Sequence, residues 1–196
     1  MKLNLLIGSM MLATSAGAFA QSSTAGSVQR DVNQQERIQQ GLQSGQLSTK
    51  EAGKLEREES KVEHLQSQAL KDGKLSNDEK LRLNAAQNKV SGDIAAAKHN
   101  NVKGNPTSAS SERMQADVQR NINQQKRVEA GVQNGSLTNH EVSKLERGQA
   151  HVDRKEAAAA RDGHVGATEE RGIQRSENRQ SRKIHREKTD AQVRKG

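Results

Sequence analysis

The sequence predicts an all-α protein, a tandem duplication of a three-helix unit whose long helices pair as antiparallel hairpins with coiled-coil-like packing. Three observations predict this. Residues 28 to 99 recur at 118 to 189 with a constant offset of ninety. Val28-Gln29-Arg30-Asp31-Val32-Asn33-Gln34-Gln35 matches Val118-Gln119-Arg120-Asn121-Ile122-Asn123-Gln124-Gln125, Leu55-Glu56-Arg57 matches Leu145-Glu146-Arg147, and Asp72-Gly73 matches Asp162-Gly163. Apolar residues fall at helical rather than alternating spacing. The chain of 196 residues holds one Pro and is rich in Gln, Glu, Lys, Arg and Ala, which are strong helix formers. Charged residues make up 29% and mean hydropathy is −1.02, close to the composition of disordered chains. The apolar periodicity and the helix caps set this chain apart from them.

The first twenty residues read as a secretory signal peptide. Lys2 supplies the positive start, Leu3 to Ala13 the apolar run, and Ala18-Phe19-Ala20 the small-x-small cleavage site. The apolar run is too short for a membrane span. Cleavage after Ala20 leaves a mature protein without Phe, Tyr, Trp or Cys, so neither disulfides nor aromatic packing contribute to it. The expected location is periplasmic or secreted.

Three helices per copy follow from the punctuation, near 25–43, 48–71 and 76–99 in repeat 1 (21–99) and near 111–133, 138–161 and 167–193 in repeat 2 (111–196). Residues 100–110, which hold Gly104 and Pro106, read as a linker. Val28, Val32, Ile38 and Leu42 share a stripe on the first helix. Leu55, Val62, Leu65 and Ala69, and then Leu83, Ala86, Val90, Ile94 and Ala97, follow heptad-like seams.

The turns carry the most regular motif. Ser44-Gly45-Gln46-Leu47-Ser48-Thr49-Lys50-Glu51 is followed by Asp72-Gly73-Lys74-Leu75-Ser76-Asn77-Asp78-Glu79, and related strings start at Asn134 and Asp162. Gly closes one helix in the left-handed conformation. Ser48, Ser76 and Thr138 cap the next, with Glu51, Glu79 and Glu141 completing capping boxes. The strings also resemble the second half of an EF-hand calcium loop, which makes Asp72, Glu79, Asp162 and Glu169 the candidate cation ligands. The first half of such a loop is missing: the positions that need carboxylates hold Gln68 and Leu70 before Gly73, and Ala158 and Ala160 before Gly163. Ca²⁺ requires six to eight oxygen ligands, so the caps explain more of the residues.

The six histidines show no i,i+4 metal pair and no zinc-finger spacing. No nucleophile elbow, phosphate-binding loop or dinucleotide motif is present. The carboxylates alternate with Lys and Arg, as on a solvated helix face. The expectation is a non-enzyme without a cofactor.

The net charge is +8. Residues 171 to 196 carry nine Lys or Arg against three acids. Arg171, Arg175, Arg179, Arg182 and Arg186 form one stripe, with Lys183 beside it. This stripe points to an anionic partner, such as phosphorylated lipid headgroups or envelope polysaccharide. Nucleic acid is disfavoured, because the chain offers no aromatic platform for bases. Between the copies Leu65 becomes Lys155, Leu81 becomes Arg171, Val90 becomes Gln180, Leu70 becomes Ala160 and Ser76 becomes Gly166. These losses predict a more weakly docked final helix.

The leader, the opening Gln34-Gln35-Glu36-Arg37-Ile38, the segment Gly45 to Arg57 and the turn Asp72 to Glu79, with their second-copy counterparts, resemble an uncharacterised family of small periplasmic helical repeat proteins of proteobacteria, some loosely labelled TolA-like envelope proteins. The resemblance covers most of the mature chain and implies an envelope location without an activity. Leu137-Thr138 followed by Glu141 is similar to the LTxxQ motif of periplasmic stress proteins. The expected function is a structural or interaction role in the cell envelope. A chaperone-like envelope-stress protein and a weak divalent-cation binder are the alternatives.

Overall fold

The computed structural model describes residues 16 to 190, with side chains from residue 23 onward. Lys2, the apolar run Leu3 to Ala13, the side chains of Ala18-Phe19-Ala20 and the tail cations Arg194 and Lys195 lie outside the described residues. The protein is all-helical: α1 (Ala16–Gln43), α2 (Thr49–Ala69), α3 (Asn77–Lys98), α4 (Ala109–Gln133), α5 (Asn139–Ala159), a single 3-10 turn (Ala160–Asp162) and α6 (Ala167–Thr189). No described helix is long and apolar enough to cross a membrane.

Local chemistry sets the boundaries. Gly45, Gly73, Gly135 and Gly163 all take positive φ, ending one helix where a side chain would be strained. Leu47 then folds back so that its amide donates to the Gly41 carbonyl at 2.9 Å, and its side chain lies over Gly41. Leu137 repeats this on Gly131 at the same distance. Ser48, Ser76 and Thr138 open α2, α3 and α5 with complete capping boxes to Glu51, Glu79 and Glu141. At α6 only half of the box remains, because Gly166 has no side chain and its amide alone donates to Glu169 at 2.8 Å.

The most extensive packing joins the two halves of the chain. α2 lies on α5 and α1 lies on α4. Both pairs are antiparallel. Gly53 of α2 faces Ala160 at the far end of α5, while the Ser143 hydroxyl near the start of α5 donates to the Ser67 carbonyl near the end of α2 at 2.5 Å. The α2–α5 contact is close because small residues line it: a β-carbon on Gly53 would come within 2.5 Å of the Ala160 methyl. α3 and α6 cover the outside and are held in matching ways. Arg37 donates to the hydroxyl and carbonyl of Ser91, and Arg127 does the same to Ser181.

The apolar seams expected from the sequence are largely buried. Val28, Val32, Ile38 and Leu42 are fully inaccessible, Leu55, Val62, Ala69, Leu83, Val90 and Ile94 are buried, and Leu65, Ala86 and Ala97 are half-buried against them. Apart from Val32, the buried ones join Met114, Val118, Ile122 and Ile173, or Val128, Leu137, Leu145 and Ile184, in two clusters that each draw on both halves.

The weak docking expected of the last helix is not what the structure shows. α6 buries Ile173, Ser176, Glu177, Gln180, Ile184 and Glu187 against its neighbours. The substitutions cost less than the alignment implied. Leu81, the counterpart of Arg171, is 68% exposed, so no burial was lost there. Gln180, in place of Val90, donates to the Leu145 carbonyl at 2.8 Å. Ala160, in place of Leu70, is the small residue that fits against Gly53.

Candidate functional site

α2 and α5 divide their charges by sign. On α2 the exposed side chains are Lys50, Lys54, Arg57, Lys61, His64 and Gln68, and on α5 they are His140, Lys144, Arg147, His151, Arg154 and Ala158. None is acidic. The inward positions hold Glu56, Glu59, Glu63 and Gln66 on α2, and Glu146, Gln149, Asp153 and Glu156 on α5, each 2% exposed or less. This corrects the expectation that the carboxylates sit on a solvated face. The alternation with Lys and Arg is real, but at helical spacing it places the two signs on opposite faces.

Side-chain amides order the acidic interior. Gln35 donates to Glu56 at 2.8 Å. Gln125 donates to Glu63 at 2.9 Å and to Glu146 at 3.1 Å. Asn121, oriented by Gln149 at 2.8 Å, turns its amide to Glu156 at 2.9 Å and Asp153 at 3.3 Å. Gln87 of α3 donates to Asp31 at 2.6 Å. Arg120, 40% exposed, reaches the buried Glu177 at 2.5 Å from the flank.

Burial penalises the charged form of these acids. Desolvation raises Asp31 to about 7 against the opposing effects of Gln87 and Arg30. It raises Glu56 to about 7 against the Gln35 hydrogen bond, and it raises Glu146 to about 8, with the Asp31 charge adding. Asp117 rises to about 9 through burial and the nearby Glu177 and Glu170. Glu59, Glu63, Asp153 and Glu156 are all held well above the ordinary carboxylate range, by desolvation first and by the charges of neighbouring acids second, Asp31 on Glu59, Asp153 on Glu63 and Glu56 on Asp153 and Glu156.

Outside, the cations gather at grooves. One between α5 and α6 is lined by Lys144, Arg147, His151, Arg179 and Lys183, with Gly148, Val152, Ser176 and Gln180 between them. Burial, then Lys155, Arg154 and Arg179, holds His151 below its usual value. Burial, with Arg147, Arg186 and Lys144, lowers Lys183 despite Glu187. A second groove between α2 and α5 is bordered by Lys50, Lys54, Arg57, Lys61 and Arg161, with Glu58 at one edge.

The sequence-predicted residues are placed as follows. Arg179 and Lys183 belong to the α5–α6 groove, whereas Arg171, Arg175, Arg182 and Arg186 are exposed along α6 outside its lining. The groove's α5 residues were missed; their signal was the run Lys144, Arg147, His151 and Arg154 at three- to four-residue spacing. The turn carboxylates take backbone N–H donors: Asp72 accepts from Lys74, Glu79 from Ser76, Asp162 from His164 and Glu169 from Gly166. The buried acids had the clearest unused signal, because Glu56, Glu59, Glu63 and Gln66 step by three, four and three along one helix face. No family model, curated protein or solved structure matches this chain.

Proposed function

We propose that this is a non-catalytic envelope interaction protein that holds anionic envelope components, phosphorylated headgroups foremost, on the cationic surface of α5 and α6. The α5–α6 groove carries the reading, because it places Lys144, Arg147, Arg179 and Lys183, with His151 among them, around one depression whose lining contains no acid. Fixed like charges lose mutual repulsion when an anion arrives; His151 and Lys183 are lowered by burial first and by the neighbouring cations second. The matching basic edge on α2 and the leader-like N-terminus support the same reading. A client-holding chaperone needs exposed apolar surface, and the large apolar side chains most exposed among the described residues are Leu81 and Val102.

Sedimentation of the mature protein with phosphatidylglycerol vesicles, lipopolysaccharide and neutral phosphatidylcholine vesicles tests the proposal. Binding is expected to the two anionic surfaces, weakening as salt screens the charges. K144Q/R147Q/K183Q is expected to weaken it by on the order of a hundredfold, at about 1 kcal/mol per cation near an anionic surface. Equal binding to neutral vesicles, or no loss in the triple variant, would remove the reading.

A further inference from the structure

We infer that the acidic interior is a binding site for a hard divalent cation of calcium's size, held by Glu56 of α2 and by Asp153 and Glu156 of α5. One oxygen from each of these three carboxylates lies within 4.8 Å of the others. Oxygens that share an ion at 2.3–2.6 Å stand at most roughly 5 Å apart, so the trio already has the spacing of a common coordination sphere. All three residues are fully buried, unlike the acidic clusters that decorate surfaces.

A second observation points to a ligand. Glu59 is 1% exposed, and neither of its carboxylate oxygens receives a hydrogen bond. The charges of Asp31, Glu56 and Asp153 bear on it, so it neighbours two members of the trio. A buried carboxylate without a donor is costly unless it is neutral or meets a cation. Asp31 from α1, Glu63 from α2, Asp117 from α4 and Glu146 from α5 act on members of this group, so an ion that displaces their protons meets carboxylates from four helices. Arg120, which enters the region from the flank, is committed to Glu177. Asn121, whose amide now faces Glu156 and Asp153, offers a carbonyl oxygen to an ion if it rotates.

The donor set selects the metal. It contains carboxylates and amides without His or Cys, which suits Ca²⁺ and Mn²⁺ and disfavours Zn²⁺ and copper. Binding displaces whatever protons the three carboxyls carry, so ion and protons compete for the same oxygens. The groove above the trio has a floor of Ser60 and Ala157, chain neighbours of Glu59 and Glu156, and a rim of Arg57, Lys61 and Arg154. That cationic rim repels a free cation, so loading and loss are expected to be slow.

The test uses the intact mature protein, stripped with chelator at pH 8 and dialysed for days against Mn²⁺ or Ca²⁺. Metal analysis is expected to find one ion per chain. Thermal melts followed by circular dichroism are expected to rise by roughly 5–10 °C at a hundredfold excess over Kd. E56Q/D153N/E156Q should keep its helicity and lose both the ion and the shift, whereas D72N/E79Q, altered only at a turn, should keep both. Absence of bound ion in the wild type overturns the proposal whatever the variants do. So does retention of ion and shift by the triple variant, or their loss in D72N/E79Q.

Discussion

At the scale of single residues, the structure rests on side chains whose size or protonation has little freedom. Gly53 is one. Its place against Ala160 allows α2 and α5 to approach, and a methyl there collides with another methyl on a rigid helix rather than with a flexible chain end. Gly53→Ala is expected to cost about 1–3 kcal/mol, read as a lower urea midpoint by circular dichroism, since the chain has no Trp or Tyr to follow. Adding Ala160→Gly should recover part of the loss; if the two costs simply add, the contact is not what limits the approach. The buried acids are the other case. Asp31, Glu56, Glu146 and Asp117 have folded-state values of about 7, 7, 8 and 9, above the roughly 4 of an unfolded chain. A raised folded value means the native state binds the proton more tightly, so the stabilisation is complete below pH 4 and is lost as pH rises toward 9. Metal-free protein is therefore expected to show a urea midpoint that falls steadily from pH 5 to pH 9. A midpoint that is level or rises over that range contradicts the assignment of these groups as neutral and buried.

At the scale of helices, sequence was a good guide to where each element lies and a poor one to what it faces. The Gly-x-Leu-Ser/Thr-x-x-Glu grammar is local chemistry, so the capping boxes at Ser48, Ser76 and Thr138 and the positive-φ glycines were legible. The apolar stripes were legible for the same reason. The inward face of α2 and α5 was not, because carboxylates are rarely buried and their burial here depends on which helix pairs with which. That pairing joins residues far apart in the chain, 76 positions for Ser67 and Ser143, and leaves no local mark. The cap grammar yields a directional prediction. Ser48→Ala or Thr138→Ala is expected to cost about 1 kcal/mol. Gly166→Ser should do the reverse, raising stability by a few tenths of a kcal/mol, since Gly166 already has φ −77° and a hydroxyl there would restore the missing half of the box. Unfolding midpoints of the three variants, measured side by side, decide it; a destabilising Gly166→Ser would mean that the N-terminus of α6 does not share the geometry of the other caps.

At the scale of the whole molecule, the two halves are read most simply as one folding unit. Both apolar clusters take residues from before and after the linker, and the acidic interior does too, with Glu56 on one side and Asp153 and Glu156 on the other. The linker itself is fastened: the Gly104 amide donates to the Gly45 carbonyl at 2.9 Å, and the Asn100 amide to Glu51 at 2.7 Å. A chain ending after Gly104 would retain α1 to α3 but expose the faces that α4 and α5 cover, including Val28, Leu55 and the carboxyls of Asp31, Glu56, Glu59 and Glu63. Such a half has too many carboxyls on the face it would have to bury to hold a core alone. It is expected to be unfolded as a monomer. Because residues 28 to 99 and 118 to 189 share their pattern of helices, caps and apolar stripes, a second copy of the half can take the place of the missing one. The expected result for residues 21 to 104 is therefore helicity and a melting temperature that increase with protein concentration, with sedimentation showing a dimer whenever helix is present. A monomer that melts cooperatively at a concentration-independent temperature would show that the halves fold separately and meet only afterwards. The same material asks whether the acidic interior needs both sequences, because the homodimer repeats Glu56, Glu59 and Glu63 but has Gln66 where the full chain has Glu156. It should therefore fold without acquiring the ion that the full-length protein takes up.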